Sequence, residues 1–139
     1  MPTSHPPVAP SIFMRRVWWA DAAVSAAVGA VMALAAEPLA GLLAVSASLV
    51  AVAGLALLPY AAFLAWLATR RAVPRLATWA PPAINVVWAI DCGLLLAAQA
   101  APNSWLLVFI AIQIATVLVF AELQLIGLKR AARRIATAT

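Results

Sequence analysis

Four long apolar stretches constrain the fold of this chain more than any other feature. They run over residues 17–36, 42–68, 79–100 and 104–128. A helix that crosses the hydrocarbon core of a membrane needs about 20 predominantly apolar residues, and each stretch has that length. The connections at 37–41 and 101–103 are short, which places successive helices side by side and antiparallel. The sequence therefore predicts an all-α integral membrane protein, an antiparallel bundle of four transmembrane helices.

The basic residues all lie at one predicted end of this bundle. The nine are Arg15, Arg16, Arg70, Arg71, Arg75, Lys129, Arg130, Arg133 and Arg134. Short loops rich in Lys and Arg stay on the cytoplasmic side of a membrane. We therefore expect a multi-pass protein of a bacterial inner membrane with both termini in the cytoplasm. Its basic side chains are expected to contact anionic lipid headgroups.

The two terminal segments are predicted to lie outside the transmembrane domain, which covers residues 15–130. Residues 1–14 contain four prolines and no Asp, Glu, Lys or Arg. Such a segment resists helix formation and predicts a flexible cytoplasmic tail. Residues 131–139 are expected to form a second, basic cytoplasmic tail at the lipid surface.

The first apolar stretch has a second interpretation. Within residues 1–36, Arg15 and Arg16 precede an apolar run that ends in small residues, which is also the order of a cleaved signal sequence. Asp21 interrupts the start of that run and favours a retained span. Both interpretations stay open at the level of sequence.

The composition excludes several classes of function. Hydrophobic residues make up 67% of the chain and charged residues only 9%, whereas soluble domains have about 25% charged residues. The net charge of +5 resides at predicted helix ends, so no nucleic-acid partner is expected. With one cysteine, Cys92, and one histidine, His5, we expect no metal site and no cofactor. No catalytic motif is present, and we do not expect an enzyme.

Acidic residues inside the predicted spans are the sharpest candidates for function. Asp91 lies near the middle of the third stretch, where insertion of Asp costs about 2.5–3.5 kcal/mol. Because no span contains Lys or Arg, we expect Asp91 to be neutral or hydrogen-bonded. Asp21 lies near a helix end and is expected to reach the interface, stabilise the helix N-terminus, or pair with Arg15 or Arg16.

A group of other residues is expected near the acidic ones. Glu122 has a predicted depth that matches Asn85, Tyr60 and Asp21. A proline inside the second span is expected to kink it and to free a carbonyl. The candidate intramembrane functional residues are therefore Asp91, Glu122, Asn85, Tyr60, Pro59 and Trp88.

Two sets of residues predict contacts between helices. Gln113, Thr116 and Gln124 form a polar stripe at helical spacing on the fourth span, with Phe120 between them. Gly29 and Gly54 belong to small-residue faces on the first two spans, where helix backbones can approach closely. The sequence leaves open whether these faces meet within one chain, in a second copy, or in another membrane subunit.

These features favour a small non-catalytic membrane protein, an accessory or scaffold subunit that binds lipids and other membrane proteins. An alternative is a small oligomeric proton-coupled transporter that uses Asp91 and Glu122. In size and helix number the chain resembles the small multidrug resistance transporters, but its first span has no mid-span glutamate, so no family is assigned. A third hypothesis is a bundle that binds a lipid or a quinone around Trp88, Tyr60 and Asp91.

Overall fold

The described part of the chain is all-helical. A computed structural model describes residues 7–136, apart from the side chains of Arg134 and Ile135. Within those residues there are five helices: α1 (Ile12–Leu34), α2 (Ala36–Leu43), α3 (Ala47–Thr69), α4 (Arg75–Ala97) and α5 (Ser104–Ala136). Helices α1, α3, α4 and α5 are long and apolar enough to cross a membrane. The prediction of four long apolar helices is confirmed, whereas their insertion and orientation stay predictions.

Short polar side chains determine where three of these helices begin. Ser11, Ser46 and Asn103 each accept a hydrogen bond from the backbone N–H three residues later, at 3.2, 3.3 and 2.8 Å. Such caps satisfy backbone donors that have no partner within the helix. Helix α4 instead follows Pro74, which has no side-chain capping hydrogen bond and precedes the first helical residue, Arg75.

The first helix begins earlier than expected. Its first residue, Ile12, lies within the segment 1–14 that we predicted to be a flexible tail. The residues before it are held by a pair of backbone hydrogen bonds between Val8 and Val73, at 2.9 and 3.0 Å. The N-terminal segment therefore lies against the connection between α3 and α4. Residues 1–6, the rest of the predicted tail, lie outside the described residues.

The connection predicted as a turn at 37–41 is the helix α2. Its proline, Pro38, occupies the first helical turn, where the missing N–H costs nothing. Helix α2 buries Ala40 and Leu43 against the other helices. Asn103 donates a hydrogen bond of 2.9 Å to the carbonyl oxygen of Leu42, which joins α2 to the start of α5. This helix closes one end of the bundle.

The four long helices form two hairpins. Helix α1 packs on α3, α4 packs on α5, and the hairpins meet mainly where α1 contacts α5. The α1–α3 contact is closest at Gly29 and Gly54. A Cβ atom added to Gly54 would lie 2.7 Å from the carbonyl oxygen of Gly29, so only glycine fits there. These two predicted contact residues thus meet within one chain.

The segments that carry Arg15, Arg70 and Arg130 gather at one end of the bundle, opposite to α2. We call this end of the bundle the basic end. The guanidinium of Arg15 donates a hydrogen bond of 2.7 Å to the carbonyl oxygen of Arg70. The guanidinium of Arg130 lies over the ring of Phe13, 5.1 Å from its centre. The three basic segments therefore come together, as the antiparallel arrangement requires.

Candidate functional site

A buried carboxylate connects all four long helices. Asp21, on α1, is only 1% exposed, and its side chain accepts hydrogen bonds from Ser25, Tyr60, Asn85 and Gln124. Ser25 lies one turn further along α1, and the other three residues come from α3, α4 and α5 respectively. We call these five residues the Asp21 cluster.

The two carboxylate oxygens of Asp21 have different surroundings. Oδ2 accepts hydrogen bonds from the Tyr60 hydroxyl at 3.0 Å, from Asn85 Nδ2 at 3.0 Å and from Gln124 Nε2 at 2.7 Å. Oδ1 accepts one, from the Ser25 hydroxyl at 3.1 Å. A carboxylate offers about four acceptor positions, shared between its two oxygens. Oδ2 is therefore saturated, whereas Oδ1 can accept a further hydrogen bond.

All four partners of Asp21 are neutral donors. They fill acceptor positions of the carboxylate without bringing a positive charge to it. Asn85 Nδ2 also lies 3.4 Å from Gln124 Oε1, which orients the two amides toward each other and toward Asp21. The hydrogen-bond partners of Asp21 thus include no basic side chain.

A cavity of about 250 Å³ lies beside the cluster, between α1, α3 and α5. Asp21 and Ser25 line this cavity, and the donors to Oδ2 do not. The cavity therefore adjoins the part of the cluster that α1 contributes, Asp21 and Ser25. The polar stripe predicted on the fourth span also faces the cavity, through Gln113 and Thr116.

The remaining wall of the cavity is apolar and partly aromatic. Leu57 contributes from α3, and Phe109 and Phe120 contribute their rings from α5. Gln113 Nε2 lies 3.9 Å from the sulfur of Met32, so its amide also reaches toward α1. An apolar pocket with a small number of convergent polar groups is typical of small-molecule sites.

The structure separates the predicted candidates into two groups. Tyr60, Asn85 and Gln124 come together at Asp21. Asp91 instead lies exposed on the outer face of α4, and its carboxylate accepts no hydrogen bond from any other described residue. Of the two states expected for Asp91, the hydrogen-bonded one is absent within residues 7–136, and the neutral one stays a prediction.

Glu122 also differs from its expected position. We predicted it beside Asn85 and Tyr60, but it is exposed, and Gln124 occupies that place. Successive helix residues are rotated by about 100°, so two positions along the helix face nearly opposite directions. Gln124, from the predicted polar stripe, therefore faces the cluster, and Glu122 lies on another face of α5.

Pro59 and Trp88 contribute no polar contact to the cluster. Pro59 is exposed, and α3 continues through it as one helix. Trp88 is half-buried against the apolar group that includes Met32 and Leu57. Its indole nitrogen has no hydrogen-bond partner in the described part of the chain.

The centre of the site, Asp21, was assigned only structural roles at the helix end. Its predicted contacts with Arg15 or Arg16 are absent, since its hydrogen-bond partners are the four neutral side chains of the cluster. One sequence signal could have indicated a polar contact inside the bundle. Asp21 and Ser25 are four residues apart and therefore share a helix face. Phe109 and Leu57 gave no signal, because apolar residues surround them in the sequence.

The described residues contain no group of three or more His, Cys, Asp or Glu side chains that could hold a metal ion. Comparisons with protein-family models, curated proteins and solved structures gave no match to the chain. The geometry of the Asp21 cluster is therefore the basis on which a function is proposed.

Proposed function

We propose that this chain is a small non-catalytic membrane protein that binds a lipophilic organic cation in the cavity beside Asp21. The observation that carries the proposal is a buried carboxylate that has only neutral hydrogen-bond partners and lines a predominantly apolar cavity. A ligand with an apolar body and an ammonium group complements both features.

The charge of Asp21 favours a cation over a neutral ligand. A carboxylate away from water is costly unless it is paired or hydrogen-bonded, and a cation is its strongest partner. The sequence contains no Lys or Arg between Arg16 and Arg70, or between Arg75 and Lys129. The interior of the bundle therefore cannot supply that cation, and in this proposal the ammonium group of a ligand in the cavity supplies it.

The cavity wall limits the size and the shape of the ligand. Drug-sized ligands occupy pockets of about 300–1,000 Å³, so a cavity of about 250 Å³ accommodates a smaller molecule. The rings of Phe109 and Phe120 add aromatic surface that attracts cations through their π-electrons. We therefore expect small aryl-alkyl ammonium ions to bind better than bulky lipophilic cations.

The proposal includes the cellular location. We propose that α1, α3, α4 and α5 cross a bacterial inner membrane and that the basic end faces the cytoplasm, with both termini inside. The gathering of Arg15, Arg70 and Arg130 at one end supports this orientation, because cytoplasmic loops carry an excess of Lys and Arg. Asp21 then lies in the cytoplasmic half of the membrane.

The hypotheses drawn from the sequence are supported to different degrees by this geometry. The cavity favours small-molecule binding, as in the lipid or quinone hypothesis, but with Asp21 rather than Asp91 at its centre. The proton-coupled transporter was based on Asp91 and Glu122, and neither residue lines the cavity. The hypothesis of an accessory subunit that binds another membrane protein is compatible with a ligand site in the cavity, because a protein partner would use a different surface of the bundle.

Calorimetric titration of the purified protein in mild detergent tests the ligand class. Phenethylammonium is expected to bind, and the neutral isostere phenethyl alcohol is expected to bind at least about tenfold more weakly, which corresponds to about 1.4 kcal/mol. Asp21→Asn should remove most of this preference, because the shape is kept and the charge is lost. Asp91→Asn is the matched control and should bind like the wild type.

A second variant tests the place of binding without touching the carboxylate. Val28 lines the cavity, and Val28→Phe should fill it and abolish binding. Val31→Phe, on an exposed position of the same helix, should leave binding unchanged. Equal affinity for the ammonium ion and the alcohol, or full binding by Val28→Phe, would contradict the proposal.

A further inference from the structure

The outer face of α4 carries an exposed acidic residue in the middle of the helix. Asp91 is exposed, and its apolar neighbours Val87 and Leu94 are 56% and 62% exposed. Ile84 is also exposed on the same face. The residues 84, 87, 91 and 94 repeat at intervals of three and four, which is the spacing of a seam that packs against another helix.

Nothing in the described part of the chain covers this seam. Helix α4 packs mainly against α5, and Ile84, Val87, Asp91 and Leu94 are all exposed on its other side. If α4 crosses a membrane, as proposed, the isolated chain would hold a carboxylate against lipid. Acidic residues inside membrane spans are costly and nearly always face protein or a water-filled space.

We infer that the Asp91 seam is the docking surface for a transmembrane helix of a different protein, one that carries a Lys or Arg at the same depth. Charge complementarity decides between a different protein and a second copy. A second copy would bring only acidic and neutral groups to this depth, because the spans of this chain contain no Lys or Arg between their basic ends. Two Asp91 carboxylates brought together would disfavour each other's charge.

This inference rests on the proposed membrane insertion but not on the cation site at Asp21. The cavity beside Asp21 lies between α1, α3 and α5, whereas the seam belongs to α4 and points outward. A variant at the seam should therefore leave ligand binding intact, and a variant in the cavity should leave docking intact.

Energy transfer between the labelled full-length protein and a synthetic helix in lipid vesicles tests the inference. The probe is a leucine-rich 23-residue transmembrane helix, labelled at one end, with a single Lys at its centre; an all-leucine helix is its control. We expect the Lys helix to associate at least about tenfold more tightly than the control. Asp91→Leu should remove this difference, and Glu122→Gln, which changes another exposed carboxylate, should retain it.

The same vesicles distinguish a second copy from a foreign helix. Energy transfer between donor- and acceptor-labelled copies of the chain should not depend on Asp91. A transfer between copies that Asp91→Leu abolishes would overturn the inference in favour of a self-associating surface. Equal association of the Lys and all-leucine helices with the wild type would overturn it outright. Because Asp91 and Glu122 are both exposed, we expect both variants to fold like the wild type.

Discussion

Two aspartates of this chain, on helices α1 and α4, occupy opposite environments. Asp21 is buried and accepts four hydrogen bonds, whereas Asp91 is exposed and accepts none from the described residues. All four long helices contribute a side chain to the Asp21 cluster, whereas no other described helix contributes a hydrogen bond to Asp91. The comparison indicates that one carboxylate organises the fold from inside and that the other is available to a partner outside.

The largest expected difference between the two regions is in stability. Asp21→Leu removes the acceptor for three buried donors from other helices, and unsatisfied buried groups cost about 1–3 kcal/mol each. We expect a loss of about 2–4 kcal/mol in the free energy of unfolding, since the freed amides of Asn85 and Gln124 can still bond to each other. Unfolding by SDS in mixed micelles measures it. Asp91→Leu should change stability by less than about 0.5 kcal/mol.

A loss of similar size in both leucine variants would break the comparison. It would mean that Asp91 has contacts within the chain that resemble those of Asp21. Unchanged stability in Asp21→Leu would mean that the cluster contributes nothing to holding the helices together.

A smaller difference is expected between two glycines. Gly54→Ala would place a Cβ atom 2.7 Å from backbone atoms of Gly29 and Ala33, so α1 and α3 must separate. We expect a destabilisation of about 1–3 kcal/mol, as for other overpacked interiors. Gly93, two residues after Asp91, has no atom within 4 Å of an added Cβ. Gly93→Ala should stabilise α4 by up to about 1 kcal/mol, because alanine favours helix.

The same unfolding assay compares the two glycine variants directly. If Gly93→Ala proved as destabilising as Gly54→Ala, the outer face of α4 would have to be packed within the chain rather than open to a partner.

The smallest effect is expected from a single hydrogen bond in the cluster. Tyr60→Phe removes one of the three donors to Oδ2 and leaves the ring in place. The expected loss is about 1 kcal/mol in the free energy of unfolding. Thr116→Val, which changes a cavity residue outside the cluster, should cost less. A Tyr60→Phe variant as unstable as Asp21→Leu would show that the hydroxyl, rather than the carboxylate, is the centre of the cluster.

The sequence predicted depth along the helices better than it predicted the direction that each side chain faces. The apolar stretches located four helices, and counting from their ends placed Asp21, Tyr60 and Asn85 at one level. In a soluble helix, the polar face then reveals which side is exposed. In this bundle both the interior and the expected lipid surroundings are apolar. The sequence therefore contains little information about which face of each helix points toward the interior. Glu122 was therefore included among the candidate functional residues, although Gln124, predicted as a helix-contact residue, is the one that bonds to Asp21.

The fates of the two aspartates show the same limit. Asp91 was favoured because its predicted position was closer to mid-span, and Asp21 was assigned to a helix end. Which of them is buried depends on how the hairpins meet, and that depends on close contacts such as Gly29 with Gly54. Those contacts involve several helices at once, so no local pattern reports them. The helix α2 was missed because a proline in a first helical turn also resembles a turn signal.

We propose that ligand binding takes place inside the bundle at Asp21 and not on its outer surface at Asp91. Photolabelling with an aryl-azide ammonium ion, followed by mass spectrometry of the labelled peptides, tests it most directly. We predict that the label attaches to cavity residues of α1 and α5, such as Val28 and Thr116, and that Asp21→Asn suppresses this labelling. Label confined to the outer face of α4, with loss in Asp91→Asn, would contradict the claim.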